Sequence, residues 1–276
     1  RVVFTAQKQR GADDGASGYR ATLPAMTLVW AGHEAIVSQY AIPSVVQRAD
    51  VIVASRPARP EALAMLRAAK ARGTRIVADL DDDYWSITPD NEIAHRAWHV
   101  DDGGALLNGL NAGCELADLV TVASEGEMRA VYSNTRVFDL DRPVHIVPNG
   151  LHAQILGLPR DYERGFTNDG KLTIGWSGTA SSIRGLELCA PALGRVLRTY
   201  KDSVRLKLVG FQPGALDPKA LRHLDVPGAE VIHTEWIPHG DQYLTQVGTF
   251  DLWVAPYHSN PFNNAKFATY FEILWR

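Results

Sequence analysis

The 276-residue chain is 46% hydrophobic and 21% charged, with a net charge of −3. That composition excludes a disordered chain and leaves room for two α/β domains. Its slight acidity excludes a global attraction to nucleic acid or anionic lipid, so any such contact has to come from a local basic cleft.

No apolar run approaches the roughly 20 residues of a membrane span. Arg1-Val2-Val3-Phe4 reads as an immediate strand and not as a signal peptide. The chain opens without Met and stops at Trp275-Arg276 inside a helical pattern, which reads as trimming at both termini. Cys114 and Cys189 fall within helix-like stretches, where they pack as small apolar residues and fit a reducing cytosol. A cytoplasmic location is expected.

Short β-branched runs alternate with amphipathic segments of helix length, the signature of βαβ units and parallel sheets. Strands are predicted near 2–6, 50–54, 74–79, 118–122 and 144–147. Between the second and third of these, Glu61 to Arg72 has helical apolar spacing and ends at Gly73, a stop signal. A second series starts near 172–176 and continues at 204–209, 229–232 and 250–255, with Ser182 to Tyr200 as its first long helix. Three strands open alike, at Asp50, Asp118 and Asp251, and these aspartates are expected to serve the turn into the strand. Pro148-Asn149-Gly150 and the polar run Arg160 to Gly170 mark a linker. Two doubly wound domains are therefore predicted, 1–150 and 151–276, divided near 151–170.

In the second domain, Gly175-Trp176-Ser177-Gly178-Thr179 follows a strand and leads to Ser182, a natural helix N-cap. Backbone amides there, together with the positive end of the helix, suit a diphosphate; the alternative is an ordinary glycine-containing turn. Further on, Asn264-Ala265-Lys266 precedes Glu272. Lys266 and Arg184 are the cations placed to neutralise a departing phosphate, and Glu272 can accept hydrogen bonds from a ribose. No metal is then required. In the first domain, Asp79-Leu80-Asp81-Asp82-Asp83 ends an apolar strand, and crowded like charges there call for solvent, a cation or a hydroxylated ligand. Asp81 or Asp82 is read as contacting acceptor or sugar, and as proton acceptor from the attacking hydroxyl; the alternative is a structural role, helix capping at Asp83 before Tyr84-Trp85. His95 and His99 share a helix face. Either one positions an acceptor or both are solvated, and no third ligand points to zinc.

Together with Ile146-Val147-Pro148-Asn149-Gly150-Leu151, Leu208-Val209-Gly210, Trp236-Ile237-Pro238, Asp251 to Pro256 and Phe262-Asn263-Asn264-Ala265-Lys266, these segments resemble a GT-B glycosyltransferase of the large retaining family (group 1, or family 4-like), in its bacterial and bacteriophage branch. The first-domain part of the resemblance is Ser17-Gly18-Tyr19-Arg20 and the aspartate run. It implies two Rossmann-like domains facing a cleft, with a nucleotide-sugar on the second and the acceptor on the first. The implied donor contacts are Gly175, Ser177, Gly178, Thr179, Arg184, Trp236, Ile237, Asn263, Asn264, Lys266 and Glu272. The implied acceptor contacts are Gly18, Tyr19, Arg20, His95 and His99. Arg20 either reaches a phosphate or pairs with a carboxylate, and Trp236 either stacks on the base or, preferably, packs beneath its loop. Asn264 stands where the family's commonest signature has the first of two glutamates, and the family's last strand and C-terminal helices are missing. The donor is expected to be a UDP-sugar, with GDP-sugar second, and the acceptor a cell-surface glycan or a hydroxymethylated pyrimidine in phage DNA. The alternatives are a non-catalytic nucleotide-sugar-binding module and a GT-B-type epimerase.

Overall fold

The computed structural model describes residues 1–6, 17–39, 43–134, 143–150, 169–179, 182–211, 214, 216–237 and 240–265. The chain forms two compact units, one of Arg1–Leu156 with Asn260–Glu272, the other of Gly157–Ser259 with Ile273–Arg276. The segment from Asn260 thus packs with the first unit, although in sequence it follows the whole of the second.

In the first unit, β1 (Val2–Ala6), β2 (Ala35–Gln39), β3 (Val51–Ser55), β4 (Arg75–Asp79), β5 (Leu119–Val122) and β6 (Val144–Ile146) make one sheet in the order β2-β1-β3-β4-β5-β6. Every pair is parallel. Alternate positions of the inner strands, such as Val3, Ile52, Ala54, Ile76, Ala78, Val120 and Val122, point into one core with Leu66 and Leu110. Burial on both faces explains their near-continuous apolar runs. β2 is the strand the periodicity passes over. It is an edge strand with Val37 still 36% exposed, and its five residues, Ala-Ile-Val-Ser-Gln, do not alternate. The helix Pro60–Ala71 matches its prediction to one residue, and Gly73 ends it at φ 86°.

The second unit holds β7 (Leu172–Ser177), β8 (Val204–Val209), β9 (Glu230–Thr234) and β10 (Leu252–Trp253), ordered β10-β7-β8-β9 and parallel throughout. The helix Ile183–Tyr200 runs 18 residues. Ile183, Leu186, Ala190, Leu193 and Leu197 form its buried stripe, at helical spacing, over Leu206 and Leu208. Pro191 lies inside it without ending it.

Two of the three strand-opening aspartates, Asp118 and Asp251, have a structural role, as a bond to the neighbouring strand. Asp118 Oδ2 accepts from the Ile76 amide at 2.8 Å and Asp251 Oδ2 from the Thr173 amide at 2.7 Å, so each ties its strand to the start of the neighbouring one. Cys114 is fully buried, and burial lifts the Cys189 thiol to about 11, so both behave as packing residues. No helix among the described residues is long and apolar enough to cross a membrane.

In both sheets the order reverses at one strand pair, β1/β3 in the first and β7/β10 in the second. Ligands of open parallel sheets bind outside the carboxyl ends of strands at such a point, which directs attention to the loops after β1, β3, β7 and β10.

Candidate functional site

After β7, the loop is closed on itself. The Gly178 amide donates to Val209 O at 3.1 Å, and the Thr179 amide donates to Ser182 Oγ at 2.8 Å. These two amides are therefore spent inside the loop and do not cradle phosphate, a correction to the expected roles of Gly178 and Thr179. Ser182 is the N-cap residue, but its hydroxyl serves Thr179, not the first helical turn. What the loop does present is the start of Ile183–Tyr200, whose first-turn amides have no intrahelical acceptor. Gly175 is also explained differently: a Cβ there would lie 2.1 Å from the Phe250 ring, so its missing side chain makes room for Phe250 and not for a ligand. Ser177 is 6% exposed, and its hydroxyl lies 2.9 Å from Tyr243 Oη. Tyr243 had no sequence signal beyond its place on an amphipathic segment.

The end of β8 touches this loop. Gly210 has φ 77°, and a Cβ on it would sit 2.1 Å from Gly178 O and 3.6 Å from Trp236 Cε3. Trp236 is 42% exposed, so it is a half-open indole at the carboxyl edge and not the core residue preferred from sequence. Ile237 beside it is half-buried. Arg184 sits in the first turn of the helix, 2.9 Å from Glu187, with 52% of its side chain exposed.

Asn263 and Asn264 lie on a short helix, Pro261–Ala265, and the structure places that helix in the first unit. Ser124 Oγ donates to Ala265 O at 2.6 Å, and a Cβ on Gly126 would come within 2.6 Å of Ala265. The two asparagines thus belong to the first unit, and Ser177 and Arg184 to the second. Lys266 and Glu272 lie outside the described residues.

At the carboxyl edge of the first sheet, Arg20 is 4% exposed. Its Nε donates to Asp79 Oδ2 at 3.0 Å, Nη2 donates to Asp79 Oδ1, and Nη1 donates to Val147 O and, at 3.1 Å, to Asn149 Oδ1. Thr121 Oγ1 completes the set by donating to Asp79 Oδ1 at 2.6 Å. Of the two roles open to Arg20, the carboxylate partner is the one realised. Burial alone would lower its pKa, but the Asp79 bond and charge raise it overall. Asp79 is pushed up by burial and pulled back by Arg20 and Thr121; the two-pronged contact decides for an ion pair. Gly18 and Tyr19, in the wide helical turn Gly18–Thr22, are half-buried.

The aspartate run divides its labour. Asp83 Oδ1 accepts from the amides of Trp85 and Ser86 at 3.2 and 3.3 Å, so the structural alternative of capping is the one realised there. Asp81 accepts the phenol proton of Tyr84 and lies 3.8 Å from Arg56 Nε. Burial, and then Asp81, push the Tyr84 phenol well above its ordinary range. Asp82 is half-buried beside them. Arg56, at the end of β3, was not anticipated: it holds φ 46°, left-handed for a residue with a side chain, a strain of about 1–3 kcal/mol that clusters at functional edges.

Glu127 is the other unanticipated residue. It sits in the first turn of the helix Glu125–Ser133 and is 3% exposed; its Oε2 accepts from the Ala123 amide at 2.7 Å, while its own amide donates to Ser124 Oγ at 3.0 Å. The signal was present as Ser124-x-x-Glu127, a capping-box spacing at the end of a strand. Burial is the main reason its pKa rises to about 8; the Ala123 amide pulls it back, and Asp82 and Asp81 push it further.

Outside this edge, a cavity of about 540 Å³ is lined by Asp83, Trp85, Gly126, Arg129, Asn134 and Asn264, among others. The Trp85 indole is fixed by a 2.8 Å bond from Nε1 to Asn111 Oδ1. His95 and His99 stack, centroids 5.0 Å apart at 11°, with His99 Nε2 3.0 Å from Tyr84 O. No group of three or more metal-ligating side chains occurs among the described residues.

No family model matches the sequence, and no curated protein matches it. Solved structures do. An α-glucosyltransferase in complex with UDP superposes with a TM-score of 0.60 at 10% identity, over 93% of this chain and 73% of that one. An α-glucosyltransferase in complex with UDP-glucose and DNA containing an abasic site gives 0.59 at 13%, over 87% and 68%. Anabaena HepE, in complex with UDP and glucose, gives 0.52 at 18%, over 91% and 73%. The fold is therefore the GT-B fold of nucleotide-sugar-dependent glycosyltransferases, as two Rossmann-like units built on parallel sheets.

Proposed function

We propose that this chain is a glycosyltransferase that moves a sugar from a nucleoside diphosphate donor, a UDP-sugar in preference to a GDP-sugar, to an acceptor hydroxyl, in the cytoplasm. One observation carries the reading. At the switch point of the second sheet, β7 runs into the N-terminus of an 18-residue helix, and the half-open Trp236 indole lies over Gly210 at the same carboxyl edge. Helix dipole and first-turn amides suit the diphosphate, and a planar aromatic face suits the base. The neighbouring structures that hold UDP or UDP-glucose support the same donor class.

In this reaction the acceptor oxygen forms a bond to C1 of the sugar, the bond from C1 to phosphate oxygen breaks, and its electron pair leaves with the diphosphate. The growing charge is met by the helix N-terminus, by Arg184 and by Lys266, without a metal. Asp81, which accepts a hydrogen bond from Tyr84 and lies 3.8 Å from Arg56, or its neighbour Asp82 takes the acceptor proton. Gly18, Tyr19, His95 and His99 belong to the acceptor side, with a glycan or a hydroxymethylated pyrimidine in DNA as acceptor. Retention at C1 follows the family resemblance.

The test is calorimetry with UDP, UDP-glucose and GDP-glucose, with and without chelator, followed by labelled transfer to glycan fractions and to hydroxymethylated DNA. Micromolar UDP binding that survives chelation and label in one acceptor class are expected. Absence of binding to every nucleotide overturns the reading. The epimerase alternative gains an acid and a base in Glu127 and Asp82; a changed donor sugar in the absence of acceptor, seen by NMR, would select it.

A further inference from the structure

The cavity outside the carboxyl edge of the first sheet is walled by three elements of one unit: the turn Tyr84–Ser86, the helix Glu125–Ser133 and the short helix Pro261–Ala265. The short helix is anchored on several sides. Phe262 sits in the first core, Ala265 O accepts from Ser124 Oγ at 2.6 Å, and Asn260 Nδ2 donates to Thr88 Oγ1 at 3.4 Å. The walls are thus held before any guest arrives, and the volume of about 540 Å³ falls within the roughly 300–1,000 Å³ of small-ligand sites.

The turn supplies a flat apolar surface and polar atoms with capacity to spare. Trp85 is half-buried, and the 2.8 Å bond from its Nε1 to Asn111 Oδ1 fixes the indole plane. Asp83 is 4% exposed; its Oδ1 is taken by the amides of Trp85 and Ser86, whereas Oδ2 receives no bond from any described residue. A buried acceptor left open in this way calls for a donor from a guest or from water. The hydroxyl of Ser86 has no partner among the described residues either. A pyranose matches this set, because the C–H groups of one ring face lie well against an indole and its rim hydroxyls donate to a carboxylate. A nucleobase also stacks on an indole, but it brings phosphodiesters, which call for cations. Among the described lining residues the one cation is Arg129, and it pairs with Glu125 at 3.1 Å. Asp81 and Asp82 directly precede the turn, and Glu127 shares the helix of Arg129, so the surroundings are acidic.

Resting on the transferase reading, we propose that this cavity seats a neutral sugar unit of the acceptor, with Trp85 as its stacking platform and Asp83 Oδ2 and Ser86 Oγ as partners of its hydroxyls. The acceptor is then a glycan and not DNA.

The experiment titrates the whole chain by calorimetry with maltotriose, cellotriose, mannotriose and triacetylchitotriose, and with a short oligodeoxynucleotide containing hydroxymethylcytosine. UDP, UDP-glucose and GDP-glucose are titrated separately, and labelled UDP-glucose then serves as donor to any trisaccharide that binds. At least one trisaccharide is expected to bind, to receive magnetisation from aromatic protons in saturation-transfer NMR, and to take label. Asp83→Asn keeps an Oδ1 for the two amides but puts a donor in place of Oδ2, and should weaken that trisaccharide about tenfold, the weight of a charge-assisted bond. Ala130→Trp fills the cavity from the helix side and should abolish its binding. If that variant fails to fold, Asp83→Asn still decides. Binding of no trisaccharide, affinity unchanged in Asp83→Asn, binding without transfer of label, or an oligodeoxynucleotide whose binding is lost in Ala130→Trp each overturns the proposal, while nucleotide binding by the native chain keeps the transferase reading. Absence of binding to all three nucleotides overturns the transferase reading, and this inference with it.

Discussion

Arg20 and Asp79 stand 59 positions apart in sequence, yet the guanidinium of one forks onto both carboxylate oxygens of the other beneath the surface of the first unit. The same guanidinium reaches Val147 and Asn149, so one side chain binds together the chain after β1, the end of β4 and the segment after β6. Removing one partner leaves the other charged and buried. Arg20→Met is expected to lower unfolding stability by about 3–5 kcal/mol, and Arg20→Met with Asp79→Leu by clearly less. Urea unfolding of the three proteins measures this; a cost below about 1 kcal/mol for the single change would show that the pair does not hold these segments.

Glu127 links stability to pH. Its folded pKa of about 8 lies above the ordinary 4.5, so the folded chain binds the proton more tightly than the unfolded chain. Its contribution is complete below about pH 4.5 and is lost as pH rises through 8, an effect on the order of a few kcal/mol. Glu127→Gln should match the native chain near pH 4.5 and become increasingly more stable than it up to pH 8. Urea midpoints taken across that window decide, and parallel curves for the two proteins would refute the linkage.

Trp236 is exposed enough to be removed without opening the core. Trp236→Ala should weaken UDP binding about tenfold, in keeping with roughly 1–1.5 kcal/mol for an aromatic stack, and leave Tm within a degree or two. Calorimetry and a thermal melt check both halves. Full UDP affinity in the variant would place the base elsewhere.

Lys266, read from sequence alone, is expected to meet the diphosphate. Lys266→Ala should cost UDP affinity about tenfold to a hundredfold, the weight of a charge-assisted bond, with the melting curve unchanged. Affinity that stays level would remove this cation from the donor site.

Gly175 should resist any side chain. Gly175→Ala drives a methyl into the Phe250 ring, with 2.1 Å available, and should destabilise the second unit by about 1–3 kcal/mol through overpacking. A double change with Phe250→Leu should recover part of this, and no recovery in thermal melts would contradict the packing explanation.

Strand succession, the parallel sheets and the long helix after β7 were legible because local apolar periodicity encodes which faces are buried. So was a structural role for Asp118 and Asp251, and capping at Asp83 was legible as an alternative, since each acts within one or two elements. The edge strand β2 was not, because its five residues, Ala35–Gln39, run apolar-apolar-apolar-polar-polar and show no alternation. Gly175 and Gly178 read as ligand-binding glycines, yet their neighbours Phe250, Ser182 and Trp176 account for the missing side chains. A glycine tells of a close approach without naming what approaches.

By itself the amino-acid order determined the class of fold, the grammar of strand, turn and helix, and the two edges where chemistry gathers, since these follow from spacing along one chain. Only the tertiary structure decided that Arg20 belongs to Asp79, that the Gly178 and Thr179 amides are spent inside their own loop, that Asn264 packs on the first unit, and that Glu127 is a buried acid held by the Ala123 amide. Pairing and burial depend on which distant segments fold against one another, and those distances in space are not written in distances along the chain.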